Sequence, residues 1–357
     1  MKNVFVGMSG GVDSSVTAAL LKQAGYDVTG VYMKNWTRDI GGVECPWRKD
    51  LADARSVAAL LDIPFEVFDF ETEYRELVVQ YMIDEYRAGR TPNPDIACNQ
   101  EVKFKLFLDA ALARGADMIA TGHYARTEKG RLFTAADEGK DQTYFLYRVE
   151  SEALSKSLFP LGDYQKSEIR SLAKEFGLPT ADKPDSQGIC FVGEVDIKDF
   201  LSEYIETKPG PIKHVDGRIL GEHEGAEYYT IGQRHGLGVG GALRDDSGSG
   251  LPLYVVSKDM SENTIFVSED LAALMNDEVS IDQLHWINEA PEIGEEFLVR
   301  SRHRGRLTPA VVTSSSGDTM RLKLEQPERA LTAGQSLVLY QKESETTEVV
   351  GGGIITQ

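Results

Sequence analysis

Cysteine is scarce in this chain: Cys45, Cys98 and Cys190 are the only three among 357 residues. Thiols so few and so far apart exclude a disulfide framework and a CxxC zinc site. In a reducing compartment they are either buried fillers or reactive groups. Long apolar runs are missing too. Nothing approaches the roughly 18–20 unbroken apolar residues of a membrane span, and the opening run NVFVGM reads as a strand rather than a signal peptide. The protein is therefore expected in the cytoplasm, with no membrane partner. Positive charge is the third deficit. With 38 Lys and Arg against 57 Asp and Glu, the net charge is −19. That argues against broad nucleic-acid binding, because attraction to phosphate demands a basic surface. An acidic whole still has room for a local basic groove.

The remaining composition, 41% apolar and 27% charged, is that of an ordinary globular protein, and the length implies two or three domains. NVFVGM, DVTGVYM, FEVFDF and ADMIATGHYA read as buried strands. Between them SSVTAALLKQAG, WRKDLADARSVAALLD and KFKLFLDAALARG repeat apolar residues at helical spacing, and SEALSKSLFPLGDYQKSEIRSLAKEFG adds two more helices. Such alternation implies an α/β fold, a parallel sheet with helices on both faces. After about residue 205 the texture turns to glycine, aromatics and turns. From about 271 onward, EVSIDQLHWI, EEFLVRSRHR, TMRLKLEQP and QSLVLYQK alternate as the short strands of a small barrel or sandwich. LRDDSGSG, around residue 247, reads as a mobile loop.

The most informative stretch is SGGVDSS, Ser9 to Ser15, between the first strand and a helix expected to start at Asp13 or Ser14. Backbone N–H groups and the positive helix end then face an anion. Gly10 and Gly11 allow close approach, Ser9, Ser14 and Ser15 add hydroxyls, and Asp13 is placed to hold a Mg²⁺ on the phosphates. A Walker loop would carry a lysine after its glycines, and none follows here. The segment resembles the PP-loop, SGGxDS, of the ATP pyrophosphatases. By that resemblance ATP is split between its α- and β-phosphates, an acceptor oxygen is adenylated, and the loop cradles the departing pyrophosphate. The nucleotide site would comprise Gly7, Met8, Ser9, Gly10, Gly11, Val12, Asp13 and Ser14, with Met33 and Gly122 bordering the adenine.

The PP-loop does not say what is adenylated. Amide-forming synthetases share it with sulfur-inserting RNA enzymes, and a non-catalytic binding protein on the same fold is a third reading. An amidating enzyme needs no thiol for the transfer. Sulfur insertion needs a persulfide carrier and a second thiol to cleave the S–S bond. Cys98 sits in RTPNPDIACNQEVKF and Cys190 in KPDSQGICFVG, both beside polar turns, whereas Cys45 in VECPWRKD reads as a bystander.

NPDIACNQEVKF, ATGHYAR, KDQTYFL, DSQGICFVGE and YTIGQRHGLG, in this order, resemble the tRNA-specific 2-thiouridylase family over essentially the whole chain. The resemblance implies a PP-loop catalytic domain over residues 1–204, a central β-rich domain over 205–270 and a tRNA-contacting β-barrel over 271–357. It implies ATP-dependent 2-thiolation of the wobble uridine of tRNA, with tRNA and a persulfide sulfur donor (a cysteine desulfurase or a relay protein) as partners and Mg accompanying ATP. Carried onto this chain, Cys190 holds the persulfide, Cys98 is the attacking thiol, and a transient Cys98–Cys190 disulfide closes the cycle. Asp95 becomes the acid/base. Asn93, Pro94 and Asp95 contact the target base, and Lys140, Asp141 and Gln142 touch the tRNA, as do Arg302, His303 and Gln335. His123 is read as a positioning residue. The C-terminal region is itself acidic, 13 acidic residues against 8 basic ones. Its exception is RSRHRGR, whose Arg300, Arg302, Arg304 and Arg306 would form a phosphate-binding stripe if they alternate along a strand.

Overall fold

A computed structural model describes residues 1–185, 196–239, 250–343 and 346–356. Cys190, and with it the expected disulfide, lies outside the described residues, as does nearly all of LRDDSGSG.

The N-terminal domain is built on five parallel strands in the order β3-β2-β1-β4-β7. They are β1 (Asn3–Gly7), β2 (Asp27–Lys34), β3 (Phe65–Asp69), β4 (Met118–Ala120) and β7 (Ser157–Leu158), and between β4 and β7 a short hairpin intervenes, β5 (Arg126–Glu128) and β6 (Arg131–Phe133). Alternate residues of β1 enter two different cores. Val4 and Val6 pack with α1 (Val12–Gln23) and α2 (Trp47–Leu60), while Phe5 packs on the other face with Phe68, Tyr74 and Phe107. This is the doubly covered parallel sheet that the strand–helix alternation implies.

Three features depart from the sequence reading. Helix α1 starts at Val12, because Gly11 already adopts the extended conformation of a cap. The segment ADMIATGHYA yields only the three-residue β4, since the chain must turn at Gly122. A long helical segment over residues 71–87 escapes the periodicity reading because it is interrupted by a π-helical stretch, Arg75–Val79.

The central domain is a four-stranded sheet ordered β10-β11-β8-β9, with β8 (Gly210–His214), β9 (Ile219–His223), β10 (Tyr254–Asp259) and β11 (Thr264–Ser268) around its own small core. The C-terminal domain comprises β12 (Met275–Trp286), β13 (Glu296–Arg300), β14 (Thr308–Ser316), β15 (Thr319–Arg329), β16 (Ser336–Glu343) and β17 (Thr346–Ile355). These antiparallel strands close into a six-stranded barrel through the β12–β17 pairing, Ile281 opposite Ile355 and Trp286 opposite Gly351. Closure leaves no edge except where β17 also pairs with β6, Val349 opposite Leu132. Arg131 of β6 is ion-paired with Glu343 and Glu348, and Val338, Tyr340 and Val349 of the barrel belong to the same apolar core as Phe5. The barrel is thus sewn to the catalytic sheet rather than tethered to it. Among the described residues no helix is long and apolar enough to cross a membrane.

Candidate active site

The site lies at the carboxyl ends of β1 and β4, where an open parallel sheet receives its ligands. Gly10 has φ +75, and a Cβ there would fall 2.3 Å from the Asp50 carbonyl oxygen. Only glycine fits. Gly11 caps α1 without any side-chain hydrogen bond, so the first N–H groups of the helix are not claimed by a cap. The serines shape the loop instead: Ser9 N–H donates to Ser14 Oγ (3.2 Å), and Ser15 Oγ donates to the Gly11 carbonyl (2.7 Å). Gly122, beyond β4, backs onto this turn, since a Cβ would sit 2.8 Å from Ser14 N. Met33, buried at the end of β2, lies 3.0 Å from where a Gly7 Cβ would be. Gly7, Gly10, Gly122 and Met33 are thus closely packed around the start of the helix.

Two lysines from elsewhere in the chain reach the loop. Lys166 donates to both Asp13 carboxylate oxygens (2.7 and 2.8 Å) and also pairs with Asp185 at 2.8 Å. Lys183 donates to the Gly10 carbonyl (3.0 Å) while pairing with Asp50 and Asp53 (2.8 and 2.6 Å). Lys140 and Arg170 each reach Asp185 at 2.7 Å. Burial works against the Asp185 charge, but hydrogen bonds from Lys140 and Lys166 outweigh it and hold the carboxyl down at about 2. Asp185 is five residues before Cys190, so the described end of that thiol's segment is fastened beside the phosphate loop. Sequence reading misses Lys166 and Lys183. One signal is available for the first: Lys166 opens the helix Lys166–Glu175, a position where the helix dipole disfavours a cation.

The second helix start is the thiol turn. Asn93 caps the short helix Pro94–Ala97, its Oδ1 accepting from Asp95 N–H (3.1 Å) and Ile96 N–H (3.4 Å), with Pro94 at the first helical position. That is the preferred chemistry for such a start. The cap is thus Asn93, which leaves the Asp95 side chain out of that role. Cys98 follows at 0% exposure and begins a π-helical stretch, Cys98–Leu106. Wide helical turns of this kind recur at functional sites. Phe104, on the same stretch, packs on His123 at 5.7 Å between ring centroids, and Phe159 completes a three-ring cluster, 6.1 Å from His123 and 5.7 Å from Phe104. His123 hydrogen-bonds Thr121 Oγ1 through Nδ1 (2.7 Å), and burial drives its pKa well below the usual histidine range. The buried imidazole is therefore held in its neutral form, packed into this aromatic cluster.

The three residues of KDQ separate in the structure. Lys140 faces Asp185 as described. Gln142 Oε1 accepts from Tyr124 N–H (3.0 Å), and the Tyr124 hydroxyl in turn donates to Asp13 (3.0 Å). Asp141 is only 3% exposed and accepts from Ala135 N–H, Thr143 Oγ1 and Arg300. Its carboxylate thus joins the catalytic domain to the barrel.

The arginine stripe is corrected here. Strand β13 ends at Arg300, and that side chain points inward to Asp141 at 3.0 Å. Arg302 to Arg306 form a turn, with Arg304 at φ +59 and Gly305 N–H donating to the Arg302 carbonyl. The strand has ended before the charges can alternate along it. Arg302, Arg304 and Arg306 are nevertheless exposed together. His303 stacks on Phe145 with 4.5 Å between centroids, and burial with the nearby Arg304 and Arg300 lowers its pKa to about 4. It is uncharged, and its ring is already occupied. Gln335 spends its amide on the catalytic domain, donating to the carbonyls of Thr91 (2.7 Å) and Pro92 (3.3 Å). Cys45 is buried, its thiol donating to the Trp36 carbonyl, and burial pushes its pKa up, as befits a structural thiol.

A glycine-framed helix start on the first strand of a parallel sheet, flanked by lysines from other elements, defines a nucleotide-binding α/β enzyme. Residues 2–194 match the tRNA methyl transferase HUP domain, 198–269 the tRNA methyl transferase PRC-barrel domain and 276–355 the aminomethyltransferase beta-barrel domain. The chain is 48% identical to the tRNA-specific 2-thiouridylase MnmA of Ralstonia nicotianae, over 99% of this chain and 96% of that protein. It is also 48% identical to the protein of the same name from Methylobacillus flagellatus, over 99% of both. It belongs to the tRNA-specific 2-thiouridylase family. Among solved structures, a 4-thiouridine synthetase–RNA complex with bound ATP shares 17% identity and a TM-score of 0.36, covering 57% of this chain and 50% of that one, a likeness too low to bear on function.

Proposed function

We propose that this protein uses ATP to activate O2 of a tRNA wobble uridine and replaces that oxygen with sulfur. The observation that carries the reading is that the catalytic domain holds two differently built helix starts: an uncapped one open to an anion and a capped one leading to Cys98. In the first step uridine O2 attacks the α-phosphorus and pyrophosphate leaves into the Gly10–Ser14 cradle. Backbone N–H groups and Lys166 and Lys183 offset the charge of the leaving group. Among the described residues no cluster of three ligands stands ready for a metal. Mg²⁺ keeps most of its waters and needs only one or two carboxylates from a protein. Asp13 would hold it on the phosphates, whose charge the ion would neutralise.

In the second step the outer sulfur of a Cys190 persulfide attacks C2 and AMP departs. The Cys98 thiolate then attacks the Cys190 sulfur, releasing 2-thiouridine and leaving a Cys98–Cys190 disulfide for an external thiol to reduce. Asp95, three residues before Cys98, is the candidate acid/base, and Asn93 and Pro94 border the base. Because Cys98 is buried, this exchange requires the turn or its cover to open. The buried His123 positions Phe104 and Gly122. The tRNA is met by Lys140, Gln142 and the Arg302–Arg306 turn, with the sulfur delivered by a persulfide-bearing protein and the reaction run in the cytoplasm. Domain limits of 1–204, 205–270 and 271–357 follow this division of labour.

The test is tRNA-dependent pyrophosphate release together with mass spectrometry of tRNA nucleosides. Pyrophosphate, AMP and 2-thiouridine in equal amounts are expected. Pyrophosphate release with ammonia or an amine as acceptor, and no thiolated nucleoside, would return the protein to the amidating synthetases.

A further inference from the structure

All three domains meet at one residue of the catalytic loop. Thr91 N–H donates to the Ala333 carbonyl of the barrel (2.9 Å), and its carbonyl accepts from Gln335 Nε2 (2.7 Å). Its hydroxyl bonds that of Thr230, in the central domain, at 3.1 Å. Gly334 (φ +92) makes the approach feasible, because a Cβ there would lie 2.8 Å from Thr91 N. Each side of this clasp is anchored in its own sheet. Gly334 N–H donates to the Ile355 carbonyl and Ile355 N–H to the Gln335 carbonyl. On the other side Thr230 N–H donates to Gln233 Oε1, while Gly232 and Val255 N–H groups exchange bonds with Val255 and Gln233 carbonyls.

Resting on the reading of Asn93–Cys98 as the reacting turn, we infer that Thr91 is a positioning residue through which the central domain and the barrel together set that turn. Upstream, Arg90 is fixed to Glu85 by backbone and side-chain bonds. Downstream, Pro92 and Pro94 lock two φ angles and Asn93 is tied into its cap. The segment between Thr91 and Asp95 is a stiff strut, so a displacement at Thr91 reaches Asp95 undamped. Misplacement of reacting groups by about 1 Å costs on the order of a hundredfold in rate, and loss of one of Thr91's three links should cost part of that.

Thr91→Val removes only the hydroxyl bond. The maximal rate of tRNA-dependent pyrophosphate release should fall about tenfold, with tRNA Kd, KM for ATP and the melting midpoint close to wild type. Thr91→Ser should restore the rate, Thr230→Val should copy Thr91→Val, and the double variant Thr91→Val/Thr230→Val should be no slower than either. Gln335→Ala should act the same way from the barrel side. A full rate in Thr91→Val, a loss explained wholly by weaker tRNA binding, or no rescue by serine would overturn the inference. If wild type releases pyrophosphate with another acceptor and makes no 2-thiouridine, the proposed function fails instead. The valine–serine contrast on that release then still decides whether the clasp positions the turn.

Discussion

The two helix starts of the catalytic domain solve the same physical problem in opposite ways. Each leaves backbone N–H groups without intrahelical partners. At α1 the cap is Gly11, which offers no side chain, so the donors stay open. At Pro94–Ala97 the cap is Asn93, whose amide oxygen takes two N–H groups at once. The first is kept for a ligand and the second is spent inside the protein to hold a thiol-bearing turn. The same division recurs among the charges: Arg300 is spent on Asp141, while Arg302, Arg304 and Arg306 remain exposed. Which donors a fold leaves unspent is a better guide to its ligands than which residues it contains.

The sharpest way to break this comparison is to fill the open loop or to remove the thiol. Gly10→Ala must displace the Asp50 backbone at a left-handed φ, so nucleotide-dependent pyrophosphate release should fall at least about a hundredfold. Cys98→Ser should abolish 2-thiouridine, read by nucleoside mass spectrometry, while ATP binding, read by calorimetry, stays intact. Wild-type thiolation by that serine variant would remove Cys98 from the chemistry. Lys166→Gln, which unties Asp13 from Asp185, should slow pyrophosphate release and leave tRNA affinity unchanged.

A subtler variant exchanges the two caps. Gly11→Asn has space for a Cβ, whose nearest neighbour would be Ser9 Oγ at 3.4 Å. It should raise apo stability by a few tenths of a kcal/mol and weaken ATP binding, because the new side chain competes for the same N–H groups. Asn93→Ala should do the reverse, costing about 1 kcal/mol of stability with ATP affinity unchanged. Urea unfolding and calorimetry give both numbers. Tighter ATP binding in Gly11→Asn would mean that these N–H groups do not face the nucleotide.

The open loop was legible because its signal is contiguous: a strand, two glycines, serines and a helix within thirteen residues. The parallel sheet was legible for a similar reason, each strand being a short buried run. The lysines were not, since Lys166 and Lys183 reach Gly10 and Asp13 only after more than 150 residues of chain have folded back. The π-helical stretches shift the apolar period and hid the helix over 71–87. One half of the barrel's hold on Thr91 is the Ala333 carbonyl, which carries no residue signature, and the other is Gln335, which the sequence reading assigned to tRNA. The arginine stripe failed for an instructive reason, in that RSRHRGR alternates in sequence while the strand stops at its first arginine, Arg300.

The exposed arginines give a smaller effect. Arg302→Ala with Arg304→Ala should weaken tRNA binding several-fold and lower the slope of log K against log salt by about 1–2. Unchanged affinity and slope would make the turn a solvated surface.

The smallest expected effect concerns a fully spent donor pair. His214 is buried at the end of β8, its Nε2 2.8 Å from Glu269 and its Nδ1 2.9 Å from Asp216, which also pairs with Arg218. Burial opposes the imidazolium, but hydrogen bonds to Asp216 and Glu269 prevail and raise its pKa above the usual value. A raised folded pKa contributes stability that is fully present below the unfolded value of about 6.5. That contribution is lost as pH rises through the folded pKa. The gap in local stability between wild type and His214→Gln, read by hydrogen exchange in β8 and β11, should therefore be widest near pH 5.5 and close by pH 9. Both ring nitrogens lie within hydrogen-bond distance of a carboxylate, which favours the charged form. A gap that is constant across this range, or that widens towards pH 9, would show the imidazole to be neutral in the folded protein.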